Sequence, residues 1–184
     1  MIQTSEIQRV FQENDVVLIK SSINVYTKSI LELMNFGLEN NKVIFYISAT
    51  VPSSVFKTIF ESTGLPHENI YFIDCTTYSF DITQDPNTIV VESPTMLETI
   101  IIKVMYLNKI SRQNLPDKSP LIIVDSANSL AIHNDLGILS EFFHVLITMV
   151  RPTGSKLAIL SIMEQLTDEL SHTLELISDT VLTE

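Results

Sequence analysis

The sequence predicts an α/β fold, a doubly wound and mostly parallel sheet with helices on both faces, in a single domain over residues 1–184. Two observations support this prediction: short apolar runs rich in β-branched residues recur along the chain, and amphipathic stretches lie between them. Apolar runs without alternation are typical of strands that helices cover on both sides. A hydrophobic share of 45% in 184 residues is enough for one well-buried core.

Six apolar runs are predicted to be strands. They cover residues 16–19, 43–47, 70–73 and 121–124, the KLAILSI run from Lys156 and the DTVL run from Asp179. The region from Cys75 to Thr88 is predicted to be a loop, and the TIVVE run at its end a modest seventh strand.

Helices are predicted between these strands, over residues 27–39, 53–62, 95–112, 137–151 and 167–176. In the third helix, a buried face is predicted from the spacing of Leu97, Ile101, Val104, Met105 and Ile110. Thr95 with Glu98 matches a capping box at its start, and Thr167 is predicted to cap the last helix. Strands that alternate with helices indicate right-handed crossovers between parallel strands.

The charge of the chain argues against nucleic-acid and membrane partners. It has 11 Lys and Arg against 22 Asp and Glu, a formal net charge of −11, which repels phosphate backbones and anionic lipids. Four of the bases, Arg9, Lys103, Lys109 and Arg112, are too scattered in the sequence to predict a basic patch.

The single Cys75 excludes an intrachain disulfide and a multi-cysteine metal site, and it is predicted to pack at a strand end. No basic segment with an apolar signal core opens the chain, and no apolar run approaches the ~20 residues of a membrane span. These features predict a cytoplasmic protein.

The segment after the first predicted strand has the spacing of a phosphate-binding loop. The pattern G-x-x-x-x-G-K-[S/T] can be laid on residues 22–29, where Lys28 and Ser29 match but Ser22 and Thr27 replace the glycines. Side chains with a Cβ resist the backbone conformations that turn N–H groups around a phosphate. Thr27, Lys28 and Ser29 are therefore candidate ATP-binding residues, and the alternative is an ordinary turn in which Ser22, Asn24 or Thr27 caps the helix.

The run PLIIVDSANS ends like a Walker B strand. In a working ATPase, the aspartate at this position holds Mg²⁺ against the phosphate oxygens, which makes Asp125 a candidate metal ligand. The alternative is a structural Asp125, whose carboxylate accepts hydrogen bonds from loop N–H groups.

Most of the chain resembles archaeal KaiC-like members of the RecA superfamily of P-loop ATPases. The second half carries the resemblance, from LIIVDSANSLAIHND through LSEFFHVLITMVRPTGSKLAILSI to LTDELSHTLELISDTVL. The first half, VVLIKSSINVYTKSILELMNFGLENNKVIFYISAT, is similar to the P-loop strand, first helix and second strand of that family. The resemblance implies a RecA-like core with a degenerate Walker A motif.

The departures from the family bear on activity. Family ATPases carry a glutamate after the second strand, where this chain has Ser48, Ala49 and Thr50, none of which is a general base at neutral pH. The loss of this glutamate together with the glycines predicts a pseudo-ATPase that serves as a regulatory or protein-interaction module without a required cofactor. The alternative is a slow ATPase that binds ATP and Mg²⁺ through Lys28, Ser29 and Asp125.

The resemblance also implies a partner. RecA and KaiC relatives form rings or filaments with nucleotide between subunits, so self-association or a protein partner is expected at this surface. Ile23, Val25 and Tyr26 are candidates to cover it, with Tyr26 as the anchor. The alternative is that all three pack under the following helix.

Overall fold

The computed structural model describes residues 3–77 and 85–184, and its strands form one parallel sheet. They are β1 Val16–Ser21, β2 Lys42–Ser48, β3 Ile70–Asp74, β4 Thr88–Val90, β5 Ser119–Asp125, β6 Lys156–Ile162 and β7 Thr180–Thr183. Their order is β4-β3-β2-β5-β6-β1-β7, and every pairing is parallel. The predicted fold class is confirmed, including the modest strand β4.

Seven α-helices connect and flank these strands within the described residues. They are α1 Thr4–Glu13, α2 Tyr26–Glu39, α3 Ser53–Thr63, α4 Leu97–Asn114, α5 Ala127–His133, α6 Leu136–Val150 and α7 Asp168–Ile177. The sequence did not predict α1 or α5. Helix α1 is mostly polar and buries only Ile7 and Phe11, and α5 is a single short segment that Ser126 caps through the N–H of Ser129.

Two details of the helix predictions need correction. Helix α4 begins at Leu97 without a side-chain cap, and the hydroxyl of Thr95 lies 2.8 Å from that of Ser93, so the predicted capping box is wrong. Met105 was predicted on the buried face of α4 but is exposed. By contrast, Thr167 accepts a hydrogen bond from the N–H of Leu170 at 3.3 Å, which confirms the predicted cap of α7.

Each face of the sheet has its own apolar core. Alternate residues of the strands pack against α4, α5, α6 and α7 on one face, and the remaining ones pack against α1, α2 and α3 on the other. Because both faces are covered, strands such as β2 are buried at nearly every position, which explains their unbroken apolar runs. The prediction of one domain over residues 1–184 stays a prediction.

Helix α2 lies directly on the sheet at Gly37. A Cβ at this position would lie 2.9 Å from Cδ1 of Ile44 and 3.0 Å from Cδ2 of Leu121, closer than ordinary packing allows. Glycine therefore lets α2 approach β2 and β5 without an intervening side chain.

The loop predicted from Cys75 to Thr88 lies partly outside the described residues. Its last part is a turn in which Asp85 accepts hydrogen bonds from the N–H of Asn87 at 3.0 Å and the hydroxyl of Thr88 at 2.8 Å. Cys75 is buried directly after β3, as predicted, and burial with the nearby Asp74 charge raises its thiol pKa to about 12.

Candidate nucleotide site

Three polar residues form a row at the carboxyl end of the sheet. Ser48, at the end of β2, is in register with Asp74 of β3 on one side and with Asp125 of β5 on the other. All three are fully buried. Ligands of open α/β sheets bind outside this edge, so the row is where the chemistry of such a fold would take place.

The carboxylate of Asp125 is surrounded by hydroxyl donors. It accepts hydrogen bonds from the phenol groups of Tyr26 and Tyr46, one on each oxygen, and from the hydroxyl of Thr50 at 3.0 Å. The predicted loop N–H donors are therefore wrong: the donors are side chains of α2, β2 and the segment after β2. The peptide bond between Asp125 and Ser126 is cis.

Burial dominates the electrostatics of this cluster. It raises the pKa of Asp125 above its ordinary value, although the hydrogen bonds from Tyr26, Tyr46 and Thr50 act in the opposite direction. Burial, followed by the neighbouring charge of Asp125, raises the pKa of both phenols well above the ordinary tyrosine value. Both tyrosines therefore keep their protons at neutral pH and act as donors.

Tyr26 connects the start of α2 to the end of β5. It is the first residue of α2, its side chain is only 6% exposed, and it packs within the core on the α1–α3 side of the sheet. The prediction that Tyr26 anchors an outer interface is wrong, and the alternative, that it packs under the helix, is confirmed for this residue. Ile23 is exposed, and its N–H donates to the carboxylate of Glu164 at 3.0 Å.

The connection between β1 and α2 is a short turn of residues 22–25. The N–H of Val25 donates to the carbonyl of Ser22 at 3.1 Å, and Val25 precedes the helix without a side-chain cap. The predicted cap by Ser22, Asn24 or Thr27 is therefore wrong. In the described residues, positive φ angles occur at Asn41 and at two glycines, Gly64 and Gly154, none of which lies in this turn.

The candidate ATP-binding residues lie in the first turn of α2, where Thr27 and Lys28 are exposed and Ser29 is buried. The hydroxyl of Ser29 accepts a hydrogen bond from Ser21 at 2.9 Å and lies 2.6 Å from Oε2 of Glu184, next to β7. The side chains of Ser29 and Asp125 are thus engaged with separate partners, and no hydrogen bond joins these two described residues.

Asp74 is a second buried carboxylate that the sequence analysis overlooked. It accepts the N–H of Ser53 at 2.7 Å, the N–H groups of Thr76 and Thr77 at 2.9 and 3.0 Å, and both threonine hydroxyls. Burial raises its pKa, but the hydrogen bonds from Ser53, Thr76 and Thr77 outweigh burial and hold the pKa below its ordinary value. Its position after the IYFI run is the same signal that marked Asp125 after LIIV.

Other residues of the site carried weaker signals. A tyrosine within the apolar run VIFYI needs a hydrogen-bond partner once the strand is buried, so Tyr46 was detectable in principle. Asn128 is also buried, and its amide exchanges two hydrogen bonds with the backbone of Ile162, at 2.8 and 3.2 Å, which ties α5 to the end of β6.

Two negative findings apply to residues 3–77 and 85–184. No group of three or more His, Cys, Asp and Glu side chains there is arranged to hold a metal ion. In the same residues, no helix combines the length and apolar character needed to cross a bilayer.

Comparison with known proteins gives structural matches only. No protein-family model matches the chain, and no curated protein does. Among solved structures, the uncharacterized protein PH0321 from Pyrococcus horikoshii, determined in complex with an unknown peptide, aligns with 100% of this chain and 84% of its own, at a TM-score of 0.71 and 11% identity.

Two further structures carry descriptive names. The flagellar accessory protein FlaH from Methanocaldococcus jannaschii aligns with 100% of this chain and 78% of its own, at a TM-score of 0.59 and 12% identity. The KaiC-like protein PH0186 from Pyrococcus horikoshii aligns with 92% of this chain and 73% of its own, at a TM-score of 0.61 and 12% identity. At such identities the likeness shows the fold alone. The chain therefore has the KaiC-like, RecA-type α/β fold that its strand and helix order predicted.

Proposed function

We propose that this chain is a non-catalytic RecA/KaiC-like domain, a pseudo-ATPase, that serves as a regulatory or protein-interaction module in the cytoplasm. The observation that carries the proposal is the hydrogen bond from Tyr26 to Asp125 inside the core. Through this bond the phenol of Tyr26 occupies an oxygen of the Asp125 carboxylate, the group that would have to face a magnesium ion in an ATPase.

The residues present do not fit magnesium. A P-loop ATPase holds the ion between the Walker B aspartate and the hydroxyl of the loop. Here both oxygens of Asp125 face hydroxyl hydrogens, and the hydroxyl of Ser29 lies against Ser21 and Glu184. A cation on Asp125 would have to displace Tyr26 or Tyr46 from the core.

The phosphate-binding backbone is also missing. A phosphate nest needs consecutive N–H groups that point inward, which left-handed residues make possible. The turn of residues 22–25 has no positive φ, and the N–H of Ser29 donates to the carbonyl of Val25 at 3.0 Å within the helix. We therefore interpret residues 22–29, which have the spacing of a Walker A motif, as a turn followed by the first turn of α2.

No group of the site is suited to activate water. Thr50 is one of the three residues, with Ser48 and Ala49, that end or follow the second strand where family ATPases have their glutamate, and its hydroxyl contacts Asp125, Ser126 and Ser129. A threonine hydroxyl is not a base at neutral pH, and Asp125 is shielded from solvent.

Support for an interaction role comes from the retained fold and from the structural comparison. PH0321 was crystallised with a peptide, so at least one protein of this fold holds a polypeptide segment. A domain that keeps its core while losing the phosphate loop is best explained by a surface function.

Calorimetric titration of the full chain with ATP and Mg²⁺ tests the proposal. We expect no saturable heat up to millimolar ATP and no phosphate release above buffer. A P-loop ATPase measured in parallel shows that the assay detects binding and turnover. Magnesium-dependent binding that disappears in Lys28→Ala and persists in the surface control Lys109→Ala would contradict the proposal and favour a slow ATPase.

A further inference from the structure

Exposed large apolar side chains are concentrated on one helix layer. Of the eleven in the described residues, eight lie on or directly beside α4–α7, whereas the α1–α3 layer has only Val55. The eight are Met96, Ile102, Met105, Tyr106, Ile132, Ile138, Val145 and Leu176. Single exposed apolar residues are normal, but a cluster of them indicates a contact surface.

Three of these residues form a stripe on α4. Ile102, Met105 and Tyr106 are 59%, 56% and 54% exposed, and their spacing of three and four places them on one side of the helix. The opposite side, with residues such as Val104 and Leu107, is buried against the sheet. We call Ile102, Met105 and Tyr106 the α4 stripe.

The stripe has a basic end in an acidic protein. Lys109 and Arg112, both exposed, follow Met105 by four and seven positions and so continue the same side of the helix. Glu98 precedes Ile102 by four positions, at the other end. With Lys103, α4 has three bases and one acid, whereas the whole chain carries −11. Three of the four bases that are scattered in the sequence thus lie on one helix, whereas Arg9 lies on α1.

We propose that the α4 stripe is the docking site for an amphipathic helix of an acidic partner protein. Apolar residues of that helix, spaced by three and four, would cover Ile102, Met105 and Tyr106, and its carboxylates would face Lys109 and Arg112. This inference deepens the proposed interaction function by naming the surface and the chemistry of the partner. Two exposed bases on a chain of charge −11 do not provide the field that nucleic acid or an anionic membrane requires.

Two synthetic helical peptides test the docking site. Both carry leucines spaced by three and four over 18 residues, and their flanking positions are glutamate in one peptide and lysine in the other. We expect the full chain to bind the glutamate peptide at least roughly tenfold more tightly than the lysine peptide, by fluorescence anisotropy. The double variant Lys109→Glu, Arg112→Glu should reverse this preference, and its circular dichroism melt must show that it is folded, because an unfolded acidic chain would also attract the lysine peptide.

The apolar part of the surface is tested by a matched pair of variants. Ile102→Ser with Tyr106→Ser should weaken binding of the glutamate peptide at least roughly tenfold, whereas Val55→Ser, on the α1–α3 layer, should leave it unchanged. Circular dichroism melts of both variants establish that each is folded.

Several outcomes would overturn the inference. They are no saturable binding of the glutamate peptide, equal binding of both peptides, and a charge reversal without a change of preference. A wild-type dimer in sedimentation equilibrium that the Ile102→Ser, Tyr106→Ser variant abolishes would assign the stripe to a second copy instead. Binding to phosphatidylserine vesicles that the charge reversal removes would assign it to a membrane. None of these results depends on whether the chain binds ATP. The titration with ATP and Mg²⁺ therefore tests the pseudo-ATPase proposal separately.

Discussion

Asp74 and Asp125 are two buried carboxylates at strand ends on either side of Ser48, yet their acidities are shifted in opposite directions. Burial raises the pKa of both, so burial does not explain the difference. Asp74 accepts three backbone N–H groups and two hydroxyls, whereas Asp125 accepts three hydroxyls only.

The kind of donor explains the contrast. Ser53 is the first residue of α3, and its N–H is one of the unpaired groups at a helix start, which favour a negative charge. A backbone N–H can only donate, whereas a phenol hydroxyl can rotate to donate or accept. The site of Asp74 is therefore built for an anion, and that of Asp125 also tolerates a neutral group.

The largest expected effect is that of Asp74→Asn. The amide NH₂ would face N–H donors that cannot reverse, leaving buried groups unpaired, so we expect a loss of about 3 kcal/mol in the free energy of unfolding. Urea unfolding measures it as a lower midpoint at unchanged slope. A loss below about 1 kcal/mol would contradict the importance of the donor type.

Asp125→Asn should have a smaller effect. The hydroxyl of Tyr26 or Tyr46 can turn to accept from the new amide, so we expect a loss of only about 1 kcal/mol. The same urea experiment, run beside Asp74→Asn, gives the comparison. An equal or larger loss for Asp125→Asn would show that the tyrosine hydroxyls cannot reorient.

The smallest expected effect is on the pH dependence of these losses. Asp74 has a lowered pKa, so its contribution is present above the unfolded value of about 3.9 and is lost as pH falls through the folded value. Asp125 has a raised pKa, so its contribution is present below about 3.9 and is lost as pH rises through the folded value.

Acidification from pH 7 should therefore enlarge the stability difference between wild type and Asp125→Asn. The difference between wild type and Asp74→Asn should stay constant until about pH 4 and then shrink. Urea unfolding of the three proteins at pH 7, 5.5, 4 and about 3 would test both directions. Changes of the same sign for both variants would contradict the opposite shifts.

The sequence predicted the sheet better than it predicted the site. Buried strands such as β2 and β5 are visible because both faces are apolar, but α1 buries only two residues and gives little periodicity. The role of Asp125 as a buried acceptor was among the predictions. Its partners were not, because Tyr26, Tyr46 and Thr50 come from separate segments that only the tertiary fold brings together.

Gly37 has a consequence at the opposite end of its helix. Because no side chain separates Gly37 from Ile44 and Leu121, this contact sets the height of α2 above the sheet. Tyr26 lies about three turns away, roughly 16 Å along the same rigid rod. A methyl group at Gly37 would require either the side chains of Ile44 and Leu121 to move or α2 to rise from the sheet, and a rise of α2 would draw the phenol of Tyr26 away from Asp125. Gly37 thus helps to fix where the first turn of α2 lies, although it is Tyr26, at the other end of the helix, that makes the hydrogen bond to Asp125.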